Sequence, residues 1–386
     1  MKPLGKSGSP GRRPRRRTLL FGALGAGVTA VAVPLGLNLS STPSATPGKG
    51  TRPTQDPTST RPGHTPHTPS AGTSPTLTPD QGYSPLTSVA FSPDSKLLAL
   101  GAGDGAISLW DSATLKKTVA LSGPTKVGST RLSDLAFSPD GTILAVAQDK
   151  TTTLWHVATH TKIATLTDTE IDPVGVVSLA FSPDGTILAC GNHHATISLW
   201  NPVTHSRITT LVDPVGYTDS PFKSVACVAF SPNGSTLAVS MENGRVRCWD
   251  VRTREITATI VGAKKYLPSI AFNPDGKILA GATQDKAVKL WDATRRVERA
   301  TLTFTDIGSR SDYVSRVVES VAFSPDGKTL AGSTGGGLIQ LWDIATRKLT
   351  TTLDGHADDA RSAAFSPDGT MLAATLDSRM GLWKLG

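Results

Sequence analysis

The chain predicts an all-β fold, a seven-bladed β-propeller built from four-stranded antiparallel blades. Three observations predict it. An Ala-Phe-Ser/Asn-Pro-Asp/Asn-Gly/Ser turn, then Leu-Ala, then a run ending in tryptophan occurs seven times, at Phe91, Phe137, Phe181, Phe230, Phe272, Phe323 and Phe365. The matching tryptophans are Trp110, Trp155, Trp200, Trp249, Trp291, Trp342 and Trp383, and the 386-residue chain has no other tryptophan. Within each copy the apolar residues alternate in short runs separated by Pro-Asp-Gly or Asp-Gly turns, as in 86–91, 96–101 and 106–110. Period two with such turns is antiparallel strand chemistry. The phenylalanines lie 46, 44, 49, 42, 51 and 42 residues apart, close to the period of about 40–45 of a four-stranded blade.

Taken in order, residues 1–17 are basic with no acid, 18–39 carry no charge and are rich in Leu, Ala, Val and Gly, and 40–73 are rich in Pro, Thr and Ser. This is the layout of an export or anchoring segment. Arg16-Arg17-Thr18-Leu19-Leu20 resembles a twin-arginine export signal. About 20 apolar residues span a bilayer, and no clean Ala-x-Ala cleavage site follows. The expectation is therefore a membrane anchor holding the rest outside the cytoplasm, with secretion after cleavage as the alternative. No cysteine lies near the segment to make it a lipoprotein. Residues 40–73 cannot form a core and read as an extended, disordered linker, with His64 and His67 as solvated parts of it.

The propeller is assigned to 74–386. Interior copies end in a Thr-rich run, such as Thr165-Leu166-Thr167 or Thr301-Leu302-Thr303, that reads as the outermost strand. The last copy ends at Trp383-Lys384-Leu385-Gly386 with no such run, whereas Thr76-Leu77-Thr78 stands upstream of the first. The segment 74–79 is thus expected to complete the final blade and cover its edge.

The formal charge of +8 suggests nucleic acid until it is divided along the chain. Residues 1–80 hold ten of the 39 Lys and Arg and two of the 31 Asp and Glu, leaving 29 of each for the propeller. A neutral domain lacks the field on which nonspecific phosphate affinity depends, so nucleic acid is not an expected partner. Three cysteines imply no disulfide framework. Cys190 and Cys248 take positions held elsewhere by Val146 and Leu109, and Cys227 and Cys248 fall on the first and third strands of one blade, beyond bridging range.

The repeat resembles the WD40 family: Leu-Trp-Asp stands at 109–111, 290–292 and 341–343, and Cys248-Trp249-Asp250 is a near match. The resemblance covers about residues 77–386. Only Gly355-His356 keeps the family's Gly-His dipeptide, and His156, Asn201 and Lys384 replace aspartate after tryptophan. The resemblance therefore implies a His-Asp-Trp hydrogen-bond set only at His356, Asp377 and Trp383, as a structural feature. It also implies that the connections leading into each first strand, and those between second and third strands, gather on one face of the ring.

That face offers scattered Asp104, Asp149, His193, His194, Glu242, Asn243, Asp285 and Asp377, one or two per blade, as turns require. Asn192-His193-His194 is the one dense ligand cluster, but no third ligand is designated, so no metal and no cofactor is expected. No Gly-x-Ser-x-Gly elbow occurs, and Gly335-Gly336-Gly337 occupies a hairpin position with no Gly-Lys-Ser/Thr after it. No catalytic residue is assigned. All four tyrosines, Tyr83, Tyr217, Tyr266 and Tyr313, fall in the connections leading into the first strands, and Tyr217, Phe222, Tyr266, Arg310, Tyr313 and Arg316 are the candidate partner-binding residues, of types enriched at binding hot spots.

The expected function is a non-catalytic protein-interaction scaffold or sensor displayed outside the cytoplasmic membrane, with a monomeric propeller and another protein as partner. Extracytoplasmic bacterial WD40 propellers that follow a kinase domain look similar from the linker onward, although this chain has no kinase domain; that resemblance implies sensing or scaffolding. The alternatives are a module binding a small molecule or envelope glycan, and a hydrolase or lyase with its site at the channel mouth.

Overall fold

The computed structural model describes residues 76–77, 84–122, 132–168, 175–214, 224–263, 266–305, 317–355, 357 and 359–385. They form seven four-stranded antiparallel sheets. In blade 1 the strands, from the centre outward, are Leu86–Phe91, Leu97–Ala102, Ile107–Asp111 and Lys117–Ser122. The first strands of blades 2 to 7 are Leu132–Phe137, Val176–Phe181, Val225–Phe230, Ile270–Phe272, Val318–Phe323 and Ala363–Phe365. Blade 7 takes its outermost strand from the other end of the chain. Thr76 pairs with Gly381 and Leu77 with Met380, as the displaced Thr-Leu run predicts.

Strand register explains why phenylalanine, leucine and tryptophan recur at fixed spacing. In blade 1, Phe91 lies opposite Leu98, and Leu98 opposite Trp110; the same row is Phe137-Leu144-Trp155 in blade 2 and Phe365-Leu372-Trp383 in blade 7. The neighbouring row, Ala90-Ala99-Leu109, points from the opposite face of the sheet. Each blade thus presents a bulky row to the blade before it and a row beginning Ala-Ala to the blade after.

The core sits at the seams between blades. Phe91, Leu98 and Trp110 pack on Ala364, Ala373 and Leu382 of blade 7; Phe365, Leu372 and Trp383 pack on Ala322, Ala331 and Leu341 of blade 6. Ala136, Ala145 and Leu154 receive Phe181, Leu188 and Trp200 in the same way. Large against small fills the wedge between sheets at interior density. Emptying such a site by truncating Phe or Trp to Ala costs about 3–5 kcal/mol.

The Ser-Pro-Asp-Gly turn that precedes each second strand closes on itself. Ser138 Oγ donates to Asp140 at 2.5 Å and accepts the Ile143 N–H at 2.9 Å, while Gly141 sits at φ 72° with Pro93 of the preceding blade against it. Blade 1 carries Ser95 at φ 62° in place of that glycine, and its hydroxyl accepts the Asp368 N–H from blade 7 at 3.1 Å. The departure from the repeat falls where the two ends of the ring meet.

A second ring of bonds runs through the residue three before each phenylalanine: Ser88, Asp134, Ser178, Cys227, Ser269, Ser320 and Ser362. All seven are buried. Ser178, Ser269, Ser320 and Ser362 each accept a backbone N–H from the next blade, at Val228, Val321, Ala363 and Val89. Asp134 accepts the Leu179 N–H at 2.8 Å and the Ser88 hydroxyl at 3.2 Å, and the Cys227 thiol donates to the Ile270 carbonyl. Every seam, including that between blades 7 and 1, carries one such bond. The three cysteines are free and buried.

Candidate functional site at the mouth of the ring

Antiparallel strands put the second-to-third turns and the starts of the first strands on one side of the ring. On that side, three chain connections are pinned by the residue two before the next blade's tryptophan. Ser198 Oγ donates to Asp168 at 2.5 Å, and Arg207 Nη1 joins it at 2.6 Å. Arg247 Nε and Nη2 donate to the two oxygens of Asp213 at 2.6 and 3.2 Å, with both side chains buried. Gln340 Nε2 donates to the Thr305 carbonyl at 2.6 Å, while its Oε1 accepts the Thr305 N–H at 3.2 Å. The bases of the connections 169–174, 215–223 and 306–316 are therefore fixed to the scaffold. Nothing in the repeat signalled this position, because its residue differs in almost every copy.

Tyr217, Phe222, Arg310, Tyr313 and Arg316 lie in those connections, outside the described residues, as do His356, Arg16 and Arg17. Tyr266 is described. It is half-buried at the approach to the first strand of blade 5. Burial pushes its phenol upward, and the carboxylates of Glu319 and Glu242 act in the same direction.

Those two acids belong to an arc across blades 4 to 7. Burial, reinforced by the Asp359 carboxylate and opposed by Arg361, raises Glu319 to about 7. Asp359 is raised by burial against the pull of its ion pair with Arg361 Nε, and Asp377 adds like charge. Glu242 and Asp377 stand on second-to-third turns, as the sequence places them; Glu319, Asp359 and Arg361 were not singled out. Glu319 and Arg361 occupy the position four before phenylalanine, where the other copies have Thr87, Ser133, Val177, Ala226 and Pro268. That contrast was the available signal.

His193 Nδ1 lies 2.9 Å from Ser224 Oγ, joining the blade 3 turn to the start of blade 4. Among the described residues no group of three or more His, Cys, Asp or Glu is placed to hold a metal ion. Gly335 to Gly337 form the hairpin turn between Thr329–Thr334 and Leu338–Asp343. Asp377 serves as a joint: its N–H donates to Asp359 O at 3.1 Å and its carbonyl accepts the Leu86 N–H of blade 1 at 2.6 Å. Trp383 is buried above Gly381. Two indoles bond within their own strand, Trp110 to Ser108 at 2.8 Å and Trp155 to Thr153 at 3.2 Å.

The family description "WD domain, G-beta repeat" matches seven stretches: 75–111, 117–156, 162–201, 214–250, 254–292, 307–343 and 347–384. The chain belongs to the WD40 family. Each matched stretch runs from the outermost strand of one blade to the tryptophan of the next, so WD40 repeats and blades are offset by one strand. That offset is what places Thr76–Leu77 in blade 7. Propellers of this family are typically scaffolds for protein interaction.

Individual relatives match over short stretches. A WD repeat-containing protein SL1-17 of Schistosoma mansoni is 41% identical over 64 residues, covering 17% of this chain and 21% of the relative. The general transcriptional corepressor TUP1 of Saccharomyces cerevisiae is 49% identical over 45 residues, 12% of this chain and 6% of the relative. A probable serine/threonine-protein kinase PkwA of Thermomonospora curvata is 47% identical over 47 residues, again 12% and 6%. The matches thus span at most about a fifth of these relatives.

Proposed function

We propose that the propeller is a non-catalytic docking platform, a scaffold or sensor that binds another protein through the mouth-side face and is displayed outside the cytoplasmic membrane. The observation that carries docking is the arc of Glu242, Tyr266, Glu319, Asp359, Arg361 and Asp377, which four blades hold beside connections whose bases are pinned. A rigid ring has already fixed these groups, so a partner loses little freedom of theirs on binding. Half-buried aromatic and charged groups ringed by loops are the usual anchors of protein recognition. Display outside the cytoplasm rests on the composition of residues 1–73. Among the described residues no helix is long and apolar enough to cross a membrane, and the uncharged stretch 18–39 lies outside them.

The test is crosslinking capture from intact envelopes, comparing the native chain with a Tyr217→Ala/Tyr266→Ala/Tyr313→Ala variant and with Glu319→Gln, each shown to be folded. A stoichiometric protein held by the native chain and lost by either variant supports the reading. Capture of no protein by the native chain overturns it.

A further inference from the structure

The opposite side of the ring carries a repeated feature that the mouth does not explain. In six blades the turn between third and fourth strands places its fifth residue after tryptophan in the left-handed region: Leu115, His160, His205, Arg254, Arg296 and Arg347, with φ between 58° and 64°. Glycine takes that conformation freely, whereas an L side chain is strained in it. The chain uses glycine for the equivalent need in the turns between first and second strands, from Gly141 to Gly369, with Ser95 alone excepted. At the outer turns it places a basic or imidazole side chain in five cases of six.

The aspartates of these turns bond within them, and the exposed Asp94, Asp275 and Asp326 of the first-to-second turns, on the same side, pair with Lys96, Lys277 and Lys328. Asp111, Asp250 and Asp343 accept the N–H of Thr114, Thr253 and Thr346 at 2.7 Å, and Asp292 accepts that of Arg295 at 2.8 Å. The cations project: Arg252, Arg254, Arg347 and Lys348 are exposed, and the Arg295 side chain is 77% exposed. Aliphatic side chains stand between them. Of the seven large aliphatics that reach solvent among the described residues, five lie on this rim: Ile163, Val203, Ile208, Val297 and Leu349.

The latch strand begins on the same side. Thr76–Leu77 pairs antiparallel with Arg379–Lys384, which runs from the mouth to this rim. The amino-terminal end of Thr76–Leu77 therefore faces the rim, and residues 1–75, which precede it in sequence, include ten Lys or Arg, one acid and the uncharged stretch 18–39.

We propose that this rim rests on a bilayer surface rich in anionic lipid headgroups, with the mouth turned away from the membrane. The proposal builds on the membrane attachment put forward above. Clustered Lys and Arg gain from an anionic surface at short range, and interleaved aliphatics enter the boundary between headgroups and acyl chains. Long basic side chains reach headgroups while their stems lie on apolar surface. Duplex nucleic acid fits less well, since aliphatic Val203 and Val297 gain nothing from a phosphate backbone.

The test uses the full chain in vesicles of phosphatidylcholine alone and of phosphatidylcholine mixed equally with phosphatidylglycerol. An environment-sensitive fluorophore is placed at Val297→Cys on the rim or at Asn243→Cys on the mouth side; the native cysteines are buried. The expected result is a blue shift and quenching by nitroxide lipid at position 297 in the mixed vesicles alone, with position 243 unaffected. In an Arg254→Gly/Arg296→Gly/Arg347→Gly variant, whose turns are relieved of strain, quenching falls to the level of neutral vesicles while the thermal midpoint is unchanged or raised. Flotation of the chain with neutral vesicles but no quenching at 297 in mixed ones overturns the rim proposal and leaves the anchor reading standing. Equal quenching in the glycine variant, or displacement from mixed vesicles by a duplex DNA, also overturns it. Failure to float with either vesicle overturns both readings.

Discussion

Asp134 is the residue at which this ring departs most from its own rule. Five of seven copies have serine at this position and one cysteine, both neutral, whereas Asp134 puts a carboxyl at 0% exposure between blades 1, 2 and 3. Burial raises it to about 7, although donors at Leu179, Leu135, Ser88 and Ser178 pull the other way. The folded state therefore holds a proton that the unfolded chain, with an ordinary carboxylate, releases near pH 4. Stability falls as pH rises wherever the folded state binds more protons, so this contribution is full below about pH 4 and is lost between about 4 and 7. At about 1.4 kcal/mol per pH unit, the loss is on the order of 4 kcal/mol. The prediction is that Asp134→Ser, which restores the repeat's own residue, flattens the pH dependence of the denaturation midpoint between about pH 4 and pH 7. Parallel profiles for the two proteins would show that the carboxyl is not protonated in the fold.

At the scale of the element, the latch strand is two residues long and stands in for a strand of about six. It covers the outer edge of Arg379–Lys384, which would otherwise present unpaired backbone groups to other chains. Removing residues 1–78 is expected to lower stability by about 0.4–2 kcal/mol through its two cross-strand pairs, and to cause self-association. Removing residues 1–73 is expected to do neither. Denaturant titration and sedimentation velocity measure both effects, and identical behaviour of the two truncations would mean that the latch contributes nothing. This strand was readable in advance because Thr76-Leu77 matches Thr165-Leu166 and Thr301-Leu302. The blades were readable because Phe, Leu and Trp must share one register row. The mouth was legible only in part. Glu242 and Asp377 sit on turns that the repeat locates, but Glu319, Asp359 and Arg361 acquire their meaning from one another and from Tyr266 and Asp377, in the same or the adjacent blade. Arg247 and Asp213 pair across 34 residues with no repeated signature to announce them.

For the whole molecule, the question is whether the seam between blades 7 and 1, which the chain crosses from the two-residue strand Thr76–Leu77 and not from a strand following Trp383, is equivalent to the other six. Four features argue that it is. Phe91 and Trp110 pack on Ala364 and Ala373 as at the other seams; Ser362 accepts Val89 N–H as Ser320 accepts Ala363 N–H; Ser95 bonds Asp368; and Leu86 N–H reaches Asp377 O. A ring closed this way has no weak point at which to open, so it unfolds as one unit, unlike an open repeat array that frays from its ends. Ser362→Ala and Ser320→Ala each strand one buried N–H, a loss of about 1–3 kcal/mol. The two variants are therefore expected to lower stability alike, each with one transition and an unchanged denaturant slope. A near-neutral Ser362→Ala beside a costly Ser320→Ala would place a gap between blades 7 and 1, and a reduced slope for Ser362→Ala would mean that the ring opens there before it unfolds.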